Sequence, residues 1–178
     1  MRDVMIDIET LSTSRKAVVL SIGAVVFDPD TLRTGSQFYS TLRVQPQLDR
    51  GREITEDTLR FWISQPKEIF QQAFPAISKD PGLVLIDFNR FLTEETNGRP
   101  IVWGNGSLFD IGILENLFDD YSDATKLPWT FRDVMDLRTF QRFVGNGEKV
   151  TRSFSHHNAL TDAIDQTAYI LNCLRKKP

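Results

Sequence analysis

Asp7-Ile8-Glu9-Thr10 closes an apolar N-terminal run, and His157-Asn158-Ala159-Leu160-Thr161-Asp162 lies near the far end of the 178-residue chain. Side chains alternate along a strand, so residues two apart share a face, and a D-x-E pair sets two carboxylates side by side. Two anions so placed need a cation. His157 and Asp162, five positions apart, would add a base and a further ligand once the fold brings the chain ends together. The chemistry implied is that of a metal-dependent nuclease.

The elements that must position these groups follow from periodicity. Asp3 to Ile8 reads as a buried strand, Ala17 to Phe27 as a second, longer one with Gly23 inside, and Gln37 to Val44 as a third, with Asp28-Pro29-Asp30 supplying the first turn. An antiparallel meander follows. From Thr55 the period changes, predicting two short helices broken near Pro66, then a longer helix from about Pro81 to Glu95 that ends at Asn97-Gly98. Ile101-Val102-Trp103 reads as a short buried strand, and a helix is expected from near Asp110. Pro128 to Val134 could hold another short strand, and Leu137 to Val144 a helix stopped by Gly145-Asn146-Gly147. The last helix carries Leu160, Ala163, Ile164, Thr167, Ala168, Leu171 and Leu174 as one stripe. Strands first, then alternating helices and strands, give a mixed α/β sheet covered by helices, as one domain over residues 1–178.

Composition narrows the setting. With 21 basic and 24 acidic residues, a formal charge of -3 argues against gripping long nucleic acid by bulk electrostatics. It does not argue against an enzyme that holds only the last few nucleotides of a strand. The single cysteine, Cys173, allows no internal disulfide and fits a reducing compartment. The N-terminal run is short and contains Asp3, Asp7 and Glu9, so it reads as neither a signal peptide nor a membrane span. A cytoplasmic protein is expected.

Three ordered blocks, Asp7 to Thr10, Trp103-Gly104-Asn105-Gly106-Ser107-Leu108-Phe109-Asp110, and His157 to Asp162, resemble those of the DEDDh exonucleases, which include polymerase-proofreading exonucleases, oligoribonuclease and RNase T. The resemblance spans nearly the whole chain. It implies a ribonuclease H-like fold, a five-stranded mixed sheet with the first three strands antiparallel. It also implies 3′-to-5′ removal of mononucleotides with two divalent cations, Mg²⁺ or Mn²⁺. Asp7 would bridge both ions, Glu9 and Asp162 would complete one shell, and Asp110 would support the other. Hard oxygen ligands select such ions, and ions roughly 3.5–4 Å apart can stabilise the attacking and leaving oxygens of an in-line displacement. His157, as an imidazole of unperturbed pKa roughly 6.5, would deprotonate the attacking water. Adjacent His156 lacks the five-residue spacing to Asp162 and is read as solvated or structural.

Each residue has a plainer reading. Asp7 and Glu9 could form a solvated edge, Asp110 could cap the helix it precedes, and Asp162 could sit on an exposed helix face. Order, spacing and context together disfavour all of these at once.

For the substrate, the resemblance places Thr10 and Leu11 against the terminal sugar and base, although Leu11 could equally pack a loop. Asn105 could bind a base or phosphate, or satisfy a turn beside Gly104 and Gly106. Phe61-Trp62-Ile63-Ser64-Gln65 resembles a Trp-Trp-x-x-Gln tract of a small single-domain exoribonuclease branch, with Phe in place of the first Trp. Trp62 is therefore the residue expected to stack on a base, an interaction of roughly 1–3 kcal/mol; with 13 Phe and 3 Trp in the chain, a core role is the alternative. The expected partner is a single-stranded 3′ end, RNA favoured over DNA. A homodimer is compatible with the resemblance, though no segment declares an interface. Two competing functions are a non-catalytic ribonuclease H-like module binding nucleic acid or a partner such as a polymerase, and a phosphodiesterase for very short oligonucleotides. A pure binding module has no physical need to crowd anions.

Overall fold

The computed structural model describes residues 2–145, 150 and 157–176. Its strands are β1 (Asp3–Thr10), β2 (Val19–Asp28), β3 (Arg33–Thr41), β4 (Ile101–Gly104) and β5 (Val134–Asp136). The helices are α1 (Gln45–Leu48), α2 (Glu56–Ile63), α3 (Lys67–Ala73), α4 (Pro81–Thr96), α5 (Ser107–Asp120), α6 (Leu137–Phe143) and α7 (Ala159–Arg175). The strands form one five-stranded sheet in the order β3-β2-β1-β4-β5. β1, β2 and β3 pair antiparallel, whereas β4 runs parallel to β1 and β5 parallel to β4. This is the mixed ribonuclease H-like sheet that the resemblance implies.

β1 is central and apolar on both faces because both faces are covered. Val4, Ile6 and Ile8, with Ile22, Ala24 and Val26 of β2, pack with Val84 and Phe88 of α4 and Leu114 and Phe118 of α5. On the opposite face Met5, Val25 and Phe27 pack with Leu137 of α6 and Ala163 and Ile170 of α7. Each fully buried Val, Ile, Leu, Met or Phe among these contributes roughly 1.5–3 kcal/mol relative to exposure. Asp7 and Glu9 continue the α7-facing row of β1, so the metal-prone pair lies where that helix begins.

Several boundaries differ from the sequence reading. The third strand runs over Arg33–Thr41 rather than Gln37 to Val44; its first residues are exposed and carry no apolar signal, while Pro46 pre-sets the backbone for α1, which was not foreseen. The strand looked for between Pro128 and Val134 is a short 3-10 turn, Phe131–Asp133, followed by β5. Helix α5 starts at Ser107, not Asp110, because Gly106 takes the N-cap position and the Ser107 amide donates to Asp136 Oδ2 at 2.8 Å. Helix α4 matches closely, ending at left-handed Asn97 (φ 55°) and Gly98 (φ 71°). The buried face of α7 is rotated from the expected stripe: Gln166, Ile170 and Cys173 are inside, while Ile164 is 38% exposed and Ala168 lies outside. Counting apolar residues missed this because a polar side chain, Gln166, occupies the inner face. Asn146, Gly147 and His156 lie outside the described residues.

Candidate active site

Asp7 and Glu9 are partly buried near the C-terminal end of β1, just before a bulge at Glu9/Thr10 in the pairing with β2. Bulges next to active sites re-aim side chains. Here the bulge coincides with the turn of the chain into the Leu11–Val18 segment, whose base is closed by Gln47: its Oε1 accepts from Val19 N and its Nε2 donates to Val19 O, both at 2.8 Å.

Asp162 reaches the pair from the first turn of α7. Asn158 caps that helix, its Oδ1 accepting from Leu160 N at 3.1 Å and Thr161 N at 3.2 Å. The helix can approach only because β2 carries glycine opposite Asp7. A Cβ at Gly23 would lie 2.2 Å from Ala159 C and Leu160 N, so the backbone of α7 sits directly on the strand. An isolated glycine in a strand signals such an approach, yet nothing local to Gly23 connects it with Asp162.

Asp7, Glu9 and Asp162 each present a carboxylate oxygen, all within 4.8 Å of one another. Asp110, 4% exposed on α5, lines the same cleft of about 630 Å³. Its Oδ2 accepts from Gly106 N at 3.2 Å, and Gly104 leaves room for it, since a Cβ there would meet the Asp110 side chain at 3.2 Å. It is thus not the helix cap. His157 also lines the cleft. Its backbone adopts a left-handed conformation, φ 65°, uncommon for a residue other than glycine. Its N–H donates to Asp162 Oδ2 at 3.2 Å, and its ring meets Phe61 edge-on at 4.9 Å between centroids.

Crowding sets the electrostatics. Burial, then the charges of Asp110, Glu9 and Asp162, hold the Asp7 carboxyl well above its usual range. Burial, then Asp162 and Asp110, push Glu9 up to about 8, and burial pushes Asp110 up to about 6 against the opposing hydrogen bond from Gly106. Folded-state values raised above unfolded ones mean that the folded protein binds the extra protons. The stability they contribute is therefore complete below about pH 4 and is lost as pH rises through about 6 and then about 8. The metal-free protein should lose on the order of 5 °C or more in Tm between about pH 5 and about pH 8. Saturating Mg²⁺ should raise Tm most at the alkaline end. Calorimetry checks both, and a Tm independent of pH and Mg²⁺ would count against a cation-requiring cluster.

The donor set suits a hard divalent cation. Every ligand is carboxylate oxygen, their mutual repulsion calls for positive charge, and one neighbour is already arranged around them. Gln166, 5% exposed, donates from Nε2 to Asp7 Oδ1 at 2.7 Å, while its buried Oε1 has no partner among the described residues. The sequence reading missed Gln166, although its place one turn after Asp162 puts it on the same side of α7. Arg138, Gln141 and Asp165 also line the cleft and were likewise missed.

A second, more apolar recess of about 360 Å³ shares Ile8, Glu9, Phe109 and His157 with the acidic cleft and adds Thr10, Phe61 and Trp62. Of the substrate residues named from sequence, Thr10 and Trp62 line this recess and Asn105 the acidic cleft. Leu11 does not line either one: 2% exposed, it packs with Val18, Leu20, Trp62 and Ala73. Trp62 needs a correction. It is 1% exposed, and its indole N–H donates to Thr10 O at 2.9 Å, so its ring faces belong to the core. Phe61, 38% exposed, is the aromatic presented to the recess. The short helix α2 is apolar at Leu59 and then at Phe61, Trp62 and Ile63 in succession, so periodicity could not separate the inner face from the outer.

Known proteins share this architecture. The chain is similar to the exodeoxyribonuclease of Enterobacteria phage T4, 26% identical over a 162-residue alignment that covers 78% of this chain and 70% of that protein. Its fold matches the nuclease domain of 3′hExo, a DEDDh family member bound to rAMP, with a TM-score of 0.65 at 12% identity, covering 97% of this chain and 91% of that one. It also matches E. coli ExoI in a zinc-bound complex with ssDNA, with a TM-score of 0.66 at 14% identity, covering 93% of this chain but only 38% of ExoI. The family described as the 3′-5′ exoribonuclease Rv2179c-like domain matches residues 2–174, and the chain belongs to that family.

Proposed function

We propose that this protein is a metal-dependent 3′-5′ exonuclease that hydrolyses single-stranded 3′ ends, RNA in preference to DNA, through a single domain. The observation that carries the reading is the meeting of Asp7, Glu9 and Asp162, from opposite ends of the chain, within 4.8 Å, in a cleft that Asp110 and His157 also line. Asp7, Glu9 and Asp162 would hold one divalent ion, and Asp7 with Asp110 a second, Mg²⁺ or Mn²⁺ by the hardness of the donors. When bound, such ions supply charge to the attacking and leaving oxygens of an in-line displacement.

The side chains do the rest. An imidazole nitrogen of His157 takes the proton of the attacking water, and its ring is held in place by Phe61 and by the Asp162 contact to its own backbone. The recess beside Phe61, Phe109 and Thr10 receives the terminal nucleoside, while Trp62 supports Thr10 from beneath. Preference for RNA draws on the family's description as exoribonuclease, against the deoxyribonuclease activity in the name of the phage relative. A 2′-OH contact is what would separate the sugars. A cytoplasmic setting fits, as no helix among the described residues is long and apolar enough to cross a membrane. A homodimer would cover exposed Leu108, Phe131 and Phe143.

The decisive assay follows labelled RNA and DNA of matched sequence with Mg²⁺, Mn²⁺ or chelator. Stepwise 3′ shortening of RNA, abolished by chelator, is expected. Binding without cleavage under every condition would favour a non-catalytic module. His157→Ala should lower kcat by roughly 10²–10⁴-fold, the usual worth of a positioned general base, whereas His156→Ala should retain most activity. Equal, mild losses in both variants would refute the assignment of the base.

A further inference from the structure

We infer that Arg138 receives the phosphodiester immediately upstream of the scissile one, so that good substrates carry at least two phosphates. This rests on the exonuclease reading and adds to it a minimum substrate length. Arg138 supplies the one guanidinium or ammonium group among the described residues lining the acidic cleft. Its side chain lies across the β4–α5 turn: a Cβ on Gly106 would be 3.2 Å from its Nη1.

The helix that carries it is fixed at that point. Asp136 accepts from Ser107 N through Oδ2 and from Thr139 N through Oδ1, both at 2.8 Å, clamping the first turn of α6 to that of α5. Among the described residues Arg138 makes no hydrogen bond or ion pair of its own, although its charge helps to hold down the Asp110 carboxyl. A cation that lines a cleft with five carboxylates, and is bonded to none of them, is available to an incoming anion. A guanidinium matches a phosphate in shape as well as charge.

Direction follows from the two recesses. They meet at Glu9, Phe109 and His157, with Phe61 on one side only and Arg138 and Gln141 on the other only. A strand whose last nucleoside rests by Phe61, with its scissile phosphate over the carboxylates, must continue toward Arg138. Gln141 lies three residues further along α6, on the same side of the helix.

The test compares a dinucleoside monophosphate, which has only the scissile phosphate, with the trinucleoside diphosphate of the same bases. Arg138→Ala should raise KM for the longer substrate about 10-fold, as expected for one charge-assisted hydrogen bond, with kcat within about 2-fold. The shorter substrate should show no comparable rise in KM. The slope of log KM against log salt for the longer substrate should shrink by roughly 0.7, one phosphate contact on a single strand. Arg138→Lys should restore part of the affinity. Arg138 is exposed, so Tm should not move; Arg138→Gln serves if the alanine variant fails to fold. Equal losses on both substrates, or an unchanged KM and salt slope, would overturn the inference. Wild-type protein that cleaves neither substrate would instead overturn the exonuclease reading beneath it.

Discussion

Asp7→Asn should abolish turnover and at the same time stabilise the metal-free protein. Asp7 sits on the central strand with four other carboxylates in the same cleft, and its own is raised well above its usual range, by burial first and by three of those neighbours next. Asparagine keeps the shape and retains an oxygen for the 2.7 Å hydrogen bond from Gln166, but removes the titratable carboxyl. The metal-free folded state then has neither to bear that buried charge nor to take up a proton to neutralise it, a cost that grows as pH rises above the usual carboxylate range. Relief of about 1–2 kcal/mol would raise Tm by roughly 2–8 °C in a chain of this size. Cation affinity goes the other way, since the residue proposed to serve both ions has lost its charge. A metal ion supplies several kcal/mol to such a transition state, so kcat should drop by about 10³-fold or more. Calorimetry at about pH 8 with and without Mg²⁺, beside a cleavage assay, reads both effects. A variant that keeps a tenth of the activity, or whose metal-free Tm falls, would show that Asp7 serves structure rather than cation binding. Function purchased at the expense of stability is a familiar pattern at active sites.

Gly23→Ala should damage the site from beneath, although no part of residue 23 touches substrate. The new methyl group would fall 2.2 Å from Ala159 C and Leu160 N and 2.3 Å from Ala159 O. Backbone cannot rotate away as a flexible side chain can, so the first turn of α7 must lift. Overpacking of this kind costs about 1–3 kcal/mol, occasionally more. The helix start also carries Asp162 and is entered directly from His157, and a displacement of about 1 Å in a catalytic constellation can cost 10²-fold. The expected result is a folded protein of lower Tm whose kcat falls by about 10²-fold while KM changes little. Circular dichroism establishes the fold, and kinetics establish the split. Wild-type kcat in a folded Gly23→Ala protein would mean that the helix tolerates the methyl group and that the contact is less demanding than its geometry implies.

The groups with chemical potential could be read from the chain because each rests on a local rule. Alternation along a strand places Asp7 beside Glu9, and a fixed five-residue spacing ties His157 to Asp162. The strands β1, β2 and β4 were legible because burial on both faces leaves continuous apolar runs, and α4 because Asn97-Gly98 ends it. Where the local rule was silent, the reading slipped. The solvent-facing start of β3 has no apolar pattern, and α2, barely two turns long, sets Phe61, Trp62 and Ile63 at consecutive positions that point in different directions. Only packing decided that Trp62 turns inward to Thr10 while Phe61 looks out, that Leu11 joins the core, and that polar Gln166 lies inside.

Sequence alone therefore determined which functional groups exist and which near neighbours share a face, since those follow from bond geometry over a few residues. Tertiary structure decided how far apart distant carboxylates come to rest, which glycine must be bare to let them meet, and that Arg138 lines the same cleft as Asp7. Those are distances between segments well over a hundred residues apart in the chain, set by the packing of helices on a sheet and by nothing within either segment.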